Sequence, residues 1–289
     1  MSSENLMSNK FQQSQHWTVQ QLIPIILTVV VFLVLAFLLW LEVTILNYFT
    51  SDDIIVRIHP ADITVGIFVY LKTAIDFAIF IGRLMEKNPG LNGRISIEIG
   101  TAIGNALGTM AILLIWVFFK EVDWLLALMV FLAGLVLLRL AEDSLEHINF
   151  RSKKLPAVVS FIGMKFELYL SRLNSIIGPF LSKIIPSKSL DVVKQKSFMG
   201  LFAMSFTVPF ILGLDDFAGY VPLFNIVNVF GFGLGVFLGH MILNIFLYIS
   251  PTKTIQAVKN PIISFLGGVA FVVLAVWGFI EAFKLVFVH

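Results

Sequence analysis

The chain has 289 residues, of which 58% are hydrophobic and only 13% charged, with a formal net charge of +2. Soluble domains carry about 25% charged residues, so this composition excludes an ordinary soluble domain and points to a multi-pass membrane protein. The absence of cysteine excludes disulfides, thiolate metal sites and cysteine nucleophiles.

The first stretch, residues 1–21, is polar and lacks a basic segment followed by a short apolar run and a small-residue cleavage site. It reads as a cytoplasmic tail rather than a cleaved signal. Because a spanning helix needs about 20 apolar residues, the sequence predicts seven spans, at 22–48, 62–85, 95–119, 124–141, 198–224, 229–249 and 261–287. With an outer loop, the first span fills 22–61. The segment 142–196 is a basic connector. Its apolar middle is interrupted by Lys165, Glu167 and Arg172, which suits an interfacial amphipathic helix better than a span.

Charge distribution sets the orientation. With the N-terminus inside and the C-terminus outside, all basic residues except Arg57, Lys72, Lys120 and Lys284 fall in cytoplasmic segments. That is the bias expected of inner loops. The predicted location is the cytoplasmic membrane of a bacterium.

The two halves, 62–141 and 197–289, repeat one pattern. Span two carries "TAIDFAIF" with Asp76; span five carries "GLDDFAGY" with Asp215 and Asp216. Each precedes a glycine-rich span, with Gly100, Gly104 and Gly108 in one and Gly231, Gly235 and Gly239 in the other. Spacing by four puts the glycines on one helix face, where another backbone can approach closely. Spans two and five are three crossings apart and so run oppositely. The expected fold is all-α: a 3+3 inverted repeat behind one extra N-terminal helix, an architecture common among secondary transporters. Pro209, Gly213 and Pro222 mark span five for interruption.

On insertion scales an acid at the centre of a span costs about 2.5–3.5 kcal/mol, so Asp76, Asp215 and Asp216 must face protein, water or a counter-ion. Carboxylates joined by oxygens from Asn105, Thr73 and Asn244, with Thr101 nearby, suit a hard divalent cation. The alternative is hydrogen bonding between helices by protonated carboxyls. Lys72 lies four residues before Asp76, where it either pairs with that acid or acts as a built-in competing cation. His240 reads as a ligand, a proton carrier or a packing residue, and Glu98 as lining a mouth or lying at the interface. Lys72, His240 and Glu98 are thus the coupling or gating candidates.

There is no phosphate-binding loop, dinucleotide fingerprint or His-Glu-x-x-His motif, so no enzymatic activity, resident cofactor or nucleic-acid partner is expected. The expected partners are a metal ion as substrate, protons and lipid, with homo-oligomerisation left open.

The runs "KTAIDFAIFIG", "ISIEIGTAIG" and "GLDDFAGYVPLF" resemble the bacterial cadmium-resistance transporters of the LysE superfamily over about residues 62 to 250. That family has an Asp-Asn pair before Gly-x-Tyr-x-Pro-Leu-Phe; Asp215 matches the Asp, and Asp216 stands where Asn is usual. The family's Asn-Ile-Asp-Asp in the first half matches Ala74, Ile75, Asp76 and Phe77. The resemblance implies a six-helix inverted-repeat core, membrane location and metal efflux. Two other functions stay open: a LysE-type exporter of amino acids or other small organic solutes, and a non-transporting assembly or scramblase-like protein.

Overall fold

The computed structural model describes residues 3–50, 53–146, 148, 150, 157–184, 197–215, 220–224 and 227–287. Among these residues all regular structure is helical. In chain order the helices are α1 (Ser3–Leu46), α2 (Pro60–Thr73), α3 (Ile75–Lys87), α4 (Leu91–Lys120), α5 (Asp123–Glu146), α6 (Ala157–Ile184), α7 (Phe198–Asp215), α8 (Val229–Ile249), α9 (Pro251–Val258) and α10 (Pro261–Phe287). A 3-10 turn, Val221–Leu223, lies between α7 and α8.

Among the described residues, five stretches are long and apolar enough to cross a membrane: Leu22–Leu46, Leu91–Lys120, Asp123–Leu145, Val229–Ile249 and Pro261–Phe287. α2 and α3 together form a sixth if counted as one span, bent by 65°. These helices fit a multi-pass membrane protein. α7 is shorter, with an apolar part over Phe198–Ile211. The helix that opens the chain continues back from its apolar stretch to Ser3. The connector holds α6, whose Asn174 amide donates to the Leu138 carbonyl at 3.1 Å and to Glu142 Oε2 at 2.7 Å on α5. Phe161, Leu168 and Tyr169 of α6 remain exposed.

Local chemistry sets several boundaries. α2 begins with Pro60 in its first turn, where proline's missing N–H costs nothing. The turn into α4 uses Gly90 at φ +117°, a conformation that only glycine adopts cheaply. Asn228 caps α8 by accepting from the Gly231 N–H at 2.9 Å.

Three helix pairs organise the core: α4 lies along α7, α2 along α8, and α5 along α10. α1 leans on α4 and α8, burying Leu35, Leu39, Val43 and Leu46 while Leu33, Val34 and Phe37 stay exposed. Glycines allow the closest approaches. Gly104 sits against the Phe206 backbone of α7, and Gly235 against Ile63 and Gly66 of α2. Gly100 meets Ser205 and Phe202, Gly239 meets Tyr70 and Ile67, and Gly231 meets Asp62 and the Arg57 carbonyl. Gly108 is buried along the same helix. Such contacts suit association in lipid, where tight backbone packing replaces the hydrophobic drive.

Candidate functional site

Two polar regions stand out among the apolar helices. The first is fully enclosed and joins α2, α4 and α8. His240, Asn244 and Tyr248 are spaced by four on α8, so one face of that helix carries an imidazole, an amide and a phenol. The Tyr70 hydroxyl lies 2.8 Å from His240 Nδ1, and His240 Nε2 lies 3.0 Å from the Asn244 amide nitrogen. That nitrogen donates to Glu98 Oε2 at 2.9 Å, and the Tyr248 hydroxyl donates to the same oxygen at 2.5 Å. Thr28 of α1 lies beside the carboxyl, with its hydroxyl donating to the Pro24 carbonyl at 2.8 Å. With the Asn244 amide donating to both neighbours, His240 Nε2 accepts, and Nδ1 carries the hydrogen shared with Tyr70. The result is one hydrogen-bonded chain from the Glu98 carboxyl to the Tyr70 hydroxyl.

Glu98, Tyr248 and Asn244 are 0% exposed. Burial of a carboxyl at this depth is tolerable because two donors converge on one of its oxygens. The other oxygen, Oε1, has no partner, nor has Asn244 Oδ1. Arg94, one turn before Glu98 on α4, makes no ion pair with it; its Nη1 is buried and unpartnered. The sequence suggests a mouth or an interface for Glu98, whereas α1 and α8 cover it completely.

The second region is an open cavity of about 230 Å³ at the α2–α3 break. Lys72, Thr73 and Asp76 line it from the break, Asp143 and Ser144 from the end of α5, Lys259 from the end of α9, and Ser264 from the first turn of α10. Asp76 is exposed in the first turn of α3, where a negative charge complements the helix dipole. Lys72 does not pair with it. The Lys72 ammonium donates to the Ile263 carbonyl at 2.6 Å and so ties the last turn of α2 to the start of α10. Thr73 donates to the Tyr70 carbonyl at 3.2 Å.

The remaining sequence candidates lie elsewhere. Asn105 is buried on α4, where its carbonyl accepts from Thr109 at 3.0 Å. Thr101 donates to the Glu98 carbonyl at 2.9 Å, and its hydroxyl oxygen lies 3.5 Å from the Asn244 amide. Asp215 is the last residue of α7; its side chain, and Asp216 altogether, lie outside the described residues. Among the described residues no three His, Asp or Glu side chains come together as a metal-holding group. The enclosed chain, with one carboxyl and one imidazole, is chemically a place to hold or pass a proton.

Sequence reasoning passed over Tyr70, Tyr248, Asp143 and Lys259. The spacing of His240, Asn244 and Tyr248 was the available signal for Tyr248. Nothing local marks Tyr70, which meets His240 across 170 positions of sequence. No protein-family model, no curated protein and no solved structure matches the chain.

Proposed function

We propose that this chain is a secondary transporter of the bacterial cytoplasmic membrane that exports a divalent cation in exchange for protons. In this reading it has seven spans, N-terminus inside, with a 3+3 inverted-repeat core behind α1. The resemblance to cadmium-resistance transporters favours the same activity.

One observation carries the reading: the acidic helix of the first half is broken beside its acid, and the glycine helix of each half packs on the acidic helix of the other. α2 stops at Thr73 and α3 resumes at Ile75 at a 65° bend, with Asp76 in its first turn. Superposing Asp76 on Asp216 in sequence also superposes Gly66 on Phe206. Gly104 lies closest to Phe206, while Gly235, its equivalent in the other glycine stripe, lies against Gly66 and closer still to Ile63, one turn earlier. The glycine span of each half therefore lies against the acidic span of the other, and α5 against α10 maps onto itself. Interrupted helices at a repeat interface are where transporters of this build hold their cargo.

The cargo acids are Asp76 from one half and Asp215 with Asp216 from the other. Glu98 and His240 couple proton movement, and Asn244, bonded to both, belongs to that path. Asp215→Asn removes the charge while keeping shape. It abolishes uptake into inverted vesicles while leaving insertion unchanged; normal transport by this variant rules out the site.

A second reading has its own support. The cavity at the break is lined by two lysines and two aspartates, Lys72, Lys259, Asp76 and Asp143. That balance suits a zwitterion better than a bare cation, as in an exporter of amino acids. Competition by amino acids rather than by metals separates the two.

A further inference from the structure

The hydrogens around Glu98 can be counted. Two acceptor oxygens in the enclosed chain lack a donor, Glu98 Oε1 and Asn244 Oδ1. Both belong to groups that already meet through their other ends, because Asn244 Nδ2 donates to Glu98 Oε2 at 2.9 Å. Buried acceptors of this kind are nearly always satisfied.

The neighbouring donors are committed elsewhere. The two amide hydrogens of Asn244 go to Glu98 Oε2 and His240 Nε2. The Tyr248 hydroxyl gives its hydrogen to Glu98 Oε2, and His240 Nδ1 shares its own with Tyr70. Thr28 spends its hydroxyl hydrogen on the Pro24 carbonyl, and Thr101 on the Glu98 carbonyl. Arg94 comes no nearer than 4.0 Å to the carboxyl, so it forms no ion pair there. An ionised Glu98 would therefore be a fully buried charge with no counter-ion, and one of its oxygens would face no donor. A single hydrogen on Oε1 removes both faults. It neutralises the carboxyl, and it gives Asn244 Oδ1 the donor that oxygen lacks.

We infer that Glu98 is held as a neutral acid whose Oε1–H donates to Asn244 Oδ1, so that acid and amide close a two-bond ring between α4 and α8. α4 lies in the first half of the chain and α8 in the second, so the ring clasps one glycine helix to the other. Removing the proton sets a carboxylate oxygen against an amide oxygen, two acceptors in a dry site. The proton therefore leaves only when the helices part, and its return draws them together. This coupling role rests on the transporter reading; the protonated ring itself does not.

Infrared difference spectroscopy of the protein in lipid films at neutral pH tests the ring, with isotopically labelled glutamate to separate Glu from Asp. The expected spectrum contains the carbonyl stretch of a protonated glutamic acid, which shifts in heavy water and is lost in Glu98→Gln. Glutamine presents a donor beside an acceptor and so keeps the ring, and the Glu98→Gln unfolding midpoint stays at the wild-type value. Asn244→Ala takes away one bond given by the carboxyl and one received, both of which lower the stretch, so the Glu98 band moves to higher frequency. If that cavity-forming variant does not fold, the loss in Glu98→Gln still decides. No glutamic-acid band lost in Glu98→Gln means an ionised carboxyl, with water or a cation completing the site, and overturns the inference. An unmoved band in folded Asn244→Ala, or a lowered midpoint in Glu98→Gln, overturns the ring. The band is read without transport: a band present with no cation uptake refutes the transporter reading alone, and uptake with no such band refutes the ring alone.

Discussion

Gly235→Ala tests the packing on which the α2–α8 pairing rests. A methyl group there overlaps the Ile63 carbonyl oxygen and lies 2.9 Å from the Gly66 Cα, against 3.4–4 Å for ordinary contact. Both neighbours are backbone, so no side-chain rotation relieves the clash. The helices must part by about half an ångström or more, and gaps of that size forfeit about a quarter to a half of each dispersion contact nearby. Overpacking costs about 1–3 kcal/mol, while replacing a helical glycine by alanine returns about 0.5–1 kcal/mol. The net expectation is a loss of about 1–2 kcal/mol. Gly233 is the control on the same helix. Its added methyl meets Leu39 Cδ2 at 2.8 Å, the end of a side chain that can turn aside. Gly233→Ala should fall within about 0.5 kcal/mol of wild type. Thermal unfolding of the detergent-solubilised protein, followed by tryptophan fluorescence, separates the two. Equal stability of Gly235→Ala and Gly233→Ala refutes the backbone-contact argument.

Two predictions concern the enclosed polar chain. Tyr248→Phe removes one of the two donors that converge on Glu98 Oε2. It should cost about 1–3 kcal/mol in the same unfolding assay, the penalty of an under-satisfied buried acceptor; an unchanged midpoint contradicts the assignment. Glu98→Gln keeps the size and an acceptor oxygen but removes the exchangeable carboxyl proton. Uptake driven by a pH gradient should fall at least about tenfold while cargo counterflow without a gradient persists; unchanged gradient-driven uptake removes Glu98 from the coupling path.

The sequence carried the helical framework well, because hydropathy and length are local properties. The predicted spans at 229–249 and 261–287 coincide with α8 and α10, and 62–85 covers the bent α2–α3 pair. Boundaries slipped where polar residues continue a helix past its apolar part. α4 starts at Leu91 because Gly90 makes the turn, and α5 runs on to Glu146. The site was harder to see. Glu98 follows a basic loop and therefore looked peripheral, yet α1 and α8 close over it. Its neighbours Asn244 and Tyr248 are 146 and 150 positions away. Periodicity identifies which residues share a face, and it is silent on what that face meets. The cavity at the break shows the same limit: Asp143, Lys259 and Lys72 come from three distant segments that only the fold brings together.

The most direct test of the account is transport by the purified wild-type protein in proteoliposomes under an imposed pH gradient. Manganese, cadmium, calcium and zinc are offered separately, beside a mixture of amino acids. The account predicts that one divalent ion accumulates while the pH gradient dissipates, and that Asp76→Asn and Asp215→Asn each stop both. A gradient that persists with no ion taken up, or uptake of amino acids without any metal, contradicts it.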